Sequence, residues 1–152
     1  MSLNTYQTED VVRYLLILLG LGVHPSTAAA DDPWKVNVNS EPDTPDDVIT
    51  VYGVGDGPRF GRDMPTGEQN VHDAIQVRVR STKQTRAYEK ARAIARKFDY
   101  DVDHTGVTVN GVDYLVHSVN RTSEPAHIGK QSPTSHRDLY TFNATVAISQ
   151  LS

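Results

Sequence analysis

Asp99, Asp101 and Asp103 carry carboxylates at the alternating spacing with which a calcium loop opens. The sixth position of such a loop would be His104, where the sharp turn requires glycine. The twelfth would be Asn110, where a bidentate glutamate is required. These aspartates therefore predict a polar connection. Gly53-Val54-Gly55-Asp56-Gly57 follows a β-branched run and raises a nucleotide-binding reading. A dinucleotide turn must open directly into a helix and a P-loop must end in Gly-Lys-Ser/Thr, whereas here Pro58 and a long loop follow. The six histidines, His24, His72, His104, His117, His127 and His136, form no H-x-x-x-H or H-E-x-x-H pattern, although His127 and His136 share one loop. No serine sits in a nucleophile elbow, and no helix face carries paired carboxylates. The chain has no cysteine, so disulfides and thiolate metal sites are excluded, with no implication for compartment. No catalytic residue, metal or cofactor is expected.

Charge is the remaining chemical signal. The formal net charge is −4, but it is unevenly placed: residues 31 to 56 hold seven acids and one lysine, and residues 76 to 98 hold eight bases and one acid. Opposed blocks of this kind pair within a fold, pair between identical subunits, or stay solvated. Arg78, Arg80, Arg86, Lys90, Arg92, Arg96 and Lys97 are thus candidates for a subunit interface or a DNA-facing surface. Phosphate contacts from them would be independent of base sequence. Tyr88 alone lies mid-helix to stack on a base.

The elements that carry these residues follow from periodicity. Ile75-Gln76-Val77-Arg78-Val79-Arg80 alternates apolar with polar, the pattern of a half-buried strand. Ser81 with Gln84 reads as a capping box opening a helix that buries Ala87, Ala91, Ile94, Ala95 and Phe98. Upstream, Tyr14 to Val23 is apolar and Ala28-Ala29-Ala30 imitates a signal-peptidase site. The preceding region carries Glu9 and Asp10 against Arg13 alone, the wrong charge for a signal peptide, and the run falls short of the roughly 20 residues that span a bilayer. A buried helix is expected instead, capped by Thr8 and stopped by Gly20 and Gly22, with no membrane contact. Residues 25 to 33 form a linker, Trp34 to Asn39 a strand, Glu41 to Asp47 an acidic turn and Val48 to Tyr52 a buried strand. A long loop covers 53 to 70, with five glycines and two prolines. Asn110-Gly111 marks a hairpin within 106 to 119, a second polar loop covers 120 to 136, and a strand from about Leu139 to Ile148 closes the chain. The order α-β-β-β-α-β-β-β predicts an α+β fold: one domain over 1–152, with a single mixed or mainly antiparallel β-sheet packed with two α-helices.

This succession resembles the minor capsid or tail terminator (tail completion) family of long-tailed bacteriophages. The resemblance rests on an amphipathic leader helix ending in Leu19-Gly20-Leu21-Gly22, and on Ile49-Thr50-Val51-Tyr52 before a glycine-rich loop. It continues in Ile75 to Ser81, similar to the family's Gln-Val-Arg-Val-Arg-Gly, and in a helix with Ala87, Ala91 and Ala95. A hairpin, Pro125, Ile128-Gly129, and Arg137 ahead of Tyr140-Thr141-Phe142-Asn143-Ala144-Thr145-Val146 complete it. Ser81 replaces the usual glycine, the context of Arg137 is looser, and the 25–33 linker is long.

The resemblance implies a homo-oligomeric ring, a hexamer in the virion, that caps the tail tube at full length and joins it to the DNA-filled head, with a monomer in solution until the tube templates assembly as the alternative for the free subunit. Its partners would be the tail tube protein, a head-completion or connector protein, and the DNA passing through the lumen. Within that role the loops at 53–70 and 123–136 are the expected contact regions, with Arg59, Phe60, Arg62, Met64, Ile128 and Lys130 as the contact residues. The competing readings are a sequence-independent nucleic-acid-binding module built on 76–98 and an enzyme of unrecognised type.

Overall fold

The computed structural model describes residues 5–29, 32–43, 45–54, 71–130 and 137–151. In chain order the elements are α1 (Thr8–Leu18), β1 (Lys35–Val38), β2 (Val48–Gly53), β3 (Val71–Ser81), α2 (Gln84–Tyr100), β4 (Thr105–Val109), β5 (Val112–Arg121), β6 (Ala126–Lys130) and β7 (Asp138–Gln150). The strands form one mixed sheet of order β1-β2-β3-β7-β5-β4, with β6 paired to β7. Among the described strands β1 and β2 pair in parallel and the other ladders are antiparallel, and Val23 adds an isolated parallel bridge to Lys35.

Thirteen-residue β7 is the spine. β3 runs along one edge, and β5 followed by β6 share the other. The registers put Ile75, Val77 and Val79 of β3 beside Ala144, Phe142 and Tyr140 of β7, and put Val77 and Val79 beside Val51 and Ile49 of β2. Paired residues of an antiparallel ladder share a face, so one face of the sheet is apolar. Both helices cover it. α2 packs on β3, β5 and β7, while α1 touches β1, β2 and β4, so the sheet curls until its two outer strands flank one helix. The opposite face presents Tyr52, Gln76, Arg78 and Asn143.

Local sequence accounts for most boundaries. Leu21 N–H reaches Leu16 O at 2.9 Å and Gly20 N–H reaches Ile17 O at 3.0 Å, with Gly20 at φ +76°. This Schellman closure ends α1 at the residue expected to stop it. Asn110 and Gly111 both hold positive φ, the requirement of a type I′ turn, and the β4–β5 hairpin closes on them.

Three expectations need correction. Thr8 is the first helical residue and not the cap of α1: Gln7 holds that position, and the Thr8 hydroxyl donates to Asp73. No capping box forms at α2, where Lys83 is the N-cap. Ser81 ends β3 and donates its hydroxyl to Asp47 Oδ1 at 2.7 Å, while the Gln84 side chain donates to the Tyr140 hydroxyl at 3.1 Å. The span read as one polar loop over 120–136 contains the end of β5 and a seventh strand, β6. β6 is short and glycine-bearing, so its extended form comes from the ladder with β7 and not from propensity.

Candidate functional site

The stripe Ala87, Ala91, Ile94, Ala95, Phe98 is buried along α2 as its spacing requires. Alanines let the helix lie close on the sheet, and Phe98 meets Phe142 edge-on with ring centroids 6.1 Å apart. Full burial of Ile94 and Phe98 contributes roughly 1.5–3 kcal/mol each. Pinning this face leaves α2 with two flanks, and they do different things.

The flank toward the 25–33 linker is tied down. Trp34 lies under both the Arg86 guanidinium, 5.4 Å from the ring centroid, and the Lys90 ammonium, 5.0 Å away. Arg86 pairs with Asp47 at 3.0 Å, and Lys90 Nζ donates to Leu21 O at 3.1 Å. Burial, then the neighbouring Arg86 charge, pull the Lys90 pKa below its ordinary value. Lys97 pairs with Asp101 at 2.7 Å one helical turn on. Arg86 and Lys90, expected at an interface, hold the helix to its own chain.

The other flank is open. Tyr88, Arg92, Ala95, Arg96, Asp99 and Tyr100 of α2 face Arg121, Glu124 and Pro125 across a groove of about 350 Å³. Arg121 forms its wall, pairing with Asp99 at 2.7 Å and Glu124 at 2.9 Å and donating to Ser123 O at 3.3 Å. The hydrogen bonds that Arg121 donates to Asp99, first, and to Glu124, second, raise its pKa. Tyr88 and Tyr100 are 41% and 79% exposed, and among the described residues no carboxylate pairs with Arg92 or Arg96. At the upper end Tyr88 leans on Tyr140, which stacks near His127; His127 Nε2 sits 3.0 Å from Asp138 Oδ1.

The remaining bases are split between buried and open positions. Arg80 is 1% exposed and belongs to no surface. Its guanidinium donates to the carbonyls of Asp46 (3.2 Å), Pro45 (2.7 Å) and Asp43 (3.4 Å), clamping the acidic turn over the sheet face opposite the helices. Burial and then Arg137 lower its pKa, against the opposing pull of Glu41, Asp46 and Asp43. Arg137 joins the clamp through Asp46 Oδ1 at 2.9 Å and Asp43 Oδ1 at 3.4 Å. Arg80 is therefore a structural residue, a correction to its expected place at an interface or facing DNA. Its guanidinium is committed to these carbonyls. Arg78 lies on that same face with its guanidinium 5.1 Å from the Tyr52 ring centroid and Nε donating to Gln76 Oε1 at 3.0 Å. Burial, then Glu41, raise the Tyr52 pKa, with Arg78 and Arg80 acting the other way.

Of the expected loop contacts, Arg59, Phe60, Arg62 and Met64 lie outside the described residues. Ile128 is 56% exposed at a register shift of β6, and Lys130 ends that strand opposite Asp138. The three aspartates of the calcium-like spacing turn to separate partners: Asp99 to Arg121, Asp101 to Lys97 and Asp103 to His104. Among the described residues no group of three or more His, Cys, Asp or Glu side chains could hold a metal ion, and no helix is long and apolar enough to cross a membrane. Arg121, Glu124, Tyr100 and Trp34 are the site residues that sequence reasoning missed. Trp34 and Arg121 are each remote in sequence from the helix they meet, and no spacing rule links them to it.

No curated protein matches the chain. One solved structure is 13% identical, covering 97% of this chain and 99% of that one, with a TM-score of 0.46; a likeness that loose carries no argument. The family model for the bacteriophage tail terminator protein matches residues 15–150, which takes in β1–β7, α2 and every residue of the two flanks. The chain belongs to the bacteriophage tail terminator family, a family of structural virion components.

Proposed function

We propose that this protein ends the tail by closing into a ring, a hexamer, on the last turn of the tail tube. The ring's far surface would receive the head-completion protein, and the genome would pass through its lumen. The observation that carries this reading is the family match over residues 15–150. The charge layout supports it. A ring of identical subunits needs one heterologous interface whose two halves differ, and this fold holds an open flank carrying Arg92 and Arg96 and, apart from it, a clamped acidic turn. Action is by contact alone, with no bond made or broken. Assembly would take place in the host bacterial cytoplasm.

The nucleic-acid reading loses ground to the same geometry. Of the seven bases it would use, Arg80 is buried, Arg86 and Lys97 are ion-paired, and Lys90 is turned onto Leu21 and Trp34. Too few remain open on one face for strong counterion release.

A phage lacking the gene tests the role directly. Tails of irregular length that fail to join full heads are expected, with rescue by the full chain supplied separately and a ring at the tube end by electron microscopy. Normal tails joined to full heads without the gene would end the proposal.

A further inference from the structure

We propose that the groove between α2 and the β5–β6 connection is the subunit–subunit docking site, and that its occupant is the acidic turn, residues 41–47, of the next copy of this chain. The inference rests on the ring reading above and names the two surfaces that would meet.

Three observations converge on it. First, the groove has the composition of a contact centre: two exposed tyrosines, with Arg92 and Arg96, which pair with no carboxylate among the described residues, beside the Arg121–Asp99–Glu124 wall. Tyrosine and arginine are the side chains enriched where binding energy concentrates. Second, the described residues of the acidic turn are held in place. Arg80 grips it through the carbonyls of Asp43, Pro45 and Asp46 and not through its carboxylates. Arg137 engages one oxygen of Asp43 and one of Asp46, yet those side chains stay 97% and 53% exposed, aimed at solvent from a fixed backbone. A segment ordered beforehand loses little entropy on docking. Third, Asp43 and Asp46 are held by Arg80 and Arg137, the end of the turn at Asp47 is tied to Arg86, and no residue of the turn is among those lining the groove. A turn seated in the groove would then be another molecule's, which is a head-to-tail contact and the kind that closes a ring.

Charge reversal in the full chain tests the pairing. R92E/R96E removes the basic half and D43K/D46K the acidic half. Melting by circular dichroism checks that each still folds, with D43N/D46N as the substitute if lysine disrupts the Arg137 contacts. Sedimentation velocity at about 50 mM and about 200 mM salt then reads self-association. The wild type is expected to associate more strongly at low salt, and each variant alone to weaken by about tenfold or more. An equimolar mixture of R92E/R96E with D43K/D46K should recover association, because each reversed surface meets its reversed counterpart. Variants that associate like the wild type, or a mixture that recovers nothing, overturn the pairing. Salt-sensitive binding of duplex DNA lost in R92E/R96E, without self-association, assigns the groove to phosphate and overturns it too. A wild type that stays monomeric in every sample yet restores tails to the gene-deleted phage overturns the groove assignment and leaves the capping role intact. Recovery by the mixture without rescue of the phage does the reverse.

Discussion

Arg80 and Arg92 belong to one basic segment and look equivalent in sequence, yet they occupy opposite physical situations. Arg80 points from β3 to the sheet face away from the helices and meets three carbonyls of a turn that folds over it. Arg92 points from α2 into an open groove, with no carboxylate paired to it among the described residues. The first guanidinium gains a forked set of hydrogen bonds in exchange for its desolvation; the second keeps its hydration and its availability. A run of bases is thus divided by geometry into charge spent on the fold and charge left for contact.

That division can be broken most forcefully at Arg80. Arg80→Ala should destabilise by about 3 kcal/mol, because it removes the hydrogen bonds of a buried guanidinium and loosens the acidic turn. Arg80→Lys should recover only part of that, since an ammonium cannot fork, and urea unfolding monitored by circular dichroism would rank the three proteins. A loss within about 0.5 kcal/mol for Arg80→Ala would place Arg80 with the surface bases after all.

Arg121→Ala occupies the middle ground. Its ion pairs with Asp99 and Glu124 are partly exposed, so a cost of about 1 kcal/mol in the same unfolding experiment is expected. Arg92→Ala and Arg96→Ala should change stability by no more than about 0.5 kcal/mol in either direction. A larger loss from either would reveal a structural role that the open groove does not account for.

The smallest expected effect is at His24. Burial first, and the Arg13 charge second, hold its pKa below the ordinary 6.5. Ser26 N–H donates to its Nδ1 at 3.1 Å, a bond only the neutral ring can accept at that atom. The unfolded chain therefore binds this proton more readily than the folded one. The stability involved is fully present above pH 6.5 and is lost as pH falls through the lower folded value. His24→Gln should flatten that part of the acid limb, seen as a smaller drop in melting temperature between about pH 7 and pH 5. An unchanged drop would assign the acid sensitivity to other groups.

Much of the fold was legible locally. Period-two alternation located β3, the five-residue stripe named the buried face of α2, and Asn110-Gly111 placed the hairpin turn. Each of these depends on neighbours in sequence, through side-chain period or allowed backbone angles. The misses have a common physical origin. Ser81 and Gln84 matched a capping box but found better partners in Asp47 and Tyr140, both supplied by other elements. β6 was read as loop because its extended form is stabilised by β7 and not by its own residues.

By itself, then, the amino-acid order determined the helices, most of the strands, the small-residue face of α2 and the segregation of charge into two blocks. The tertiary structure alone decided which charges remain available. That outcome depends on the sheet pairing β3 with β7, which sends Arg80 to one face, and on Trp34 and Arg121 arriving from distant segments to occupy one flank of α2 and wall the other. A guanidinium's role is set by the dielectric and the acceptors around it, and those are assembled only when remote parts of the chain meet.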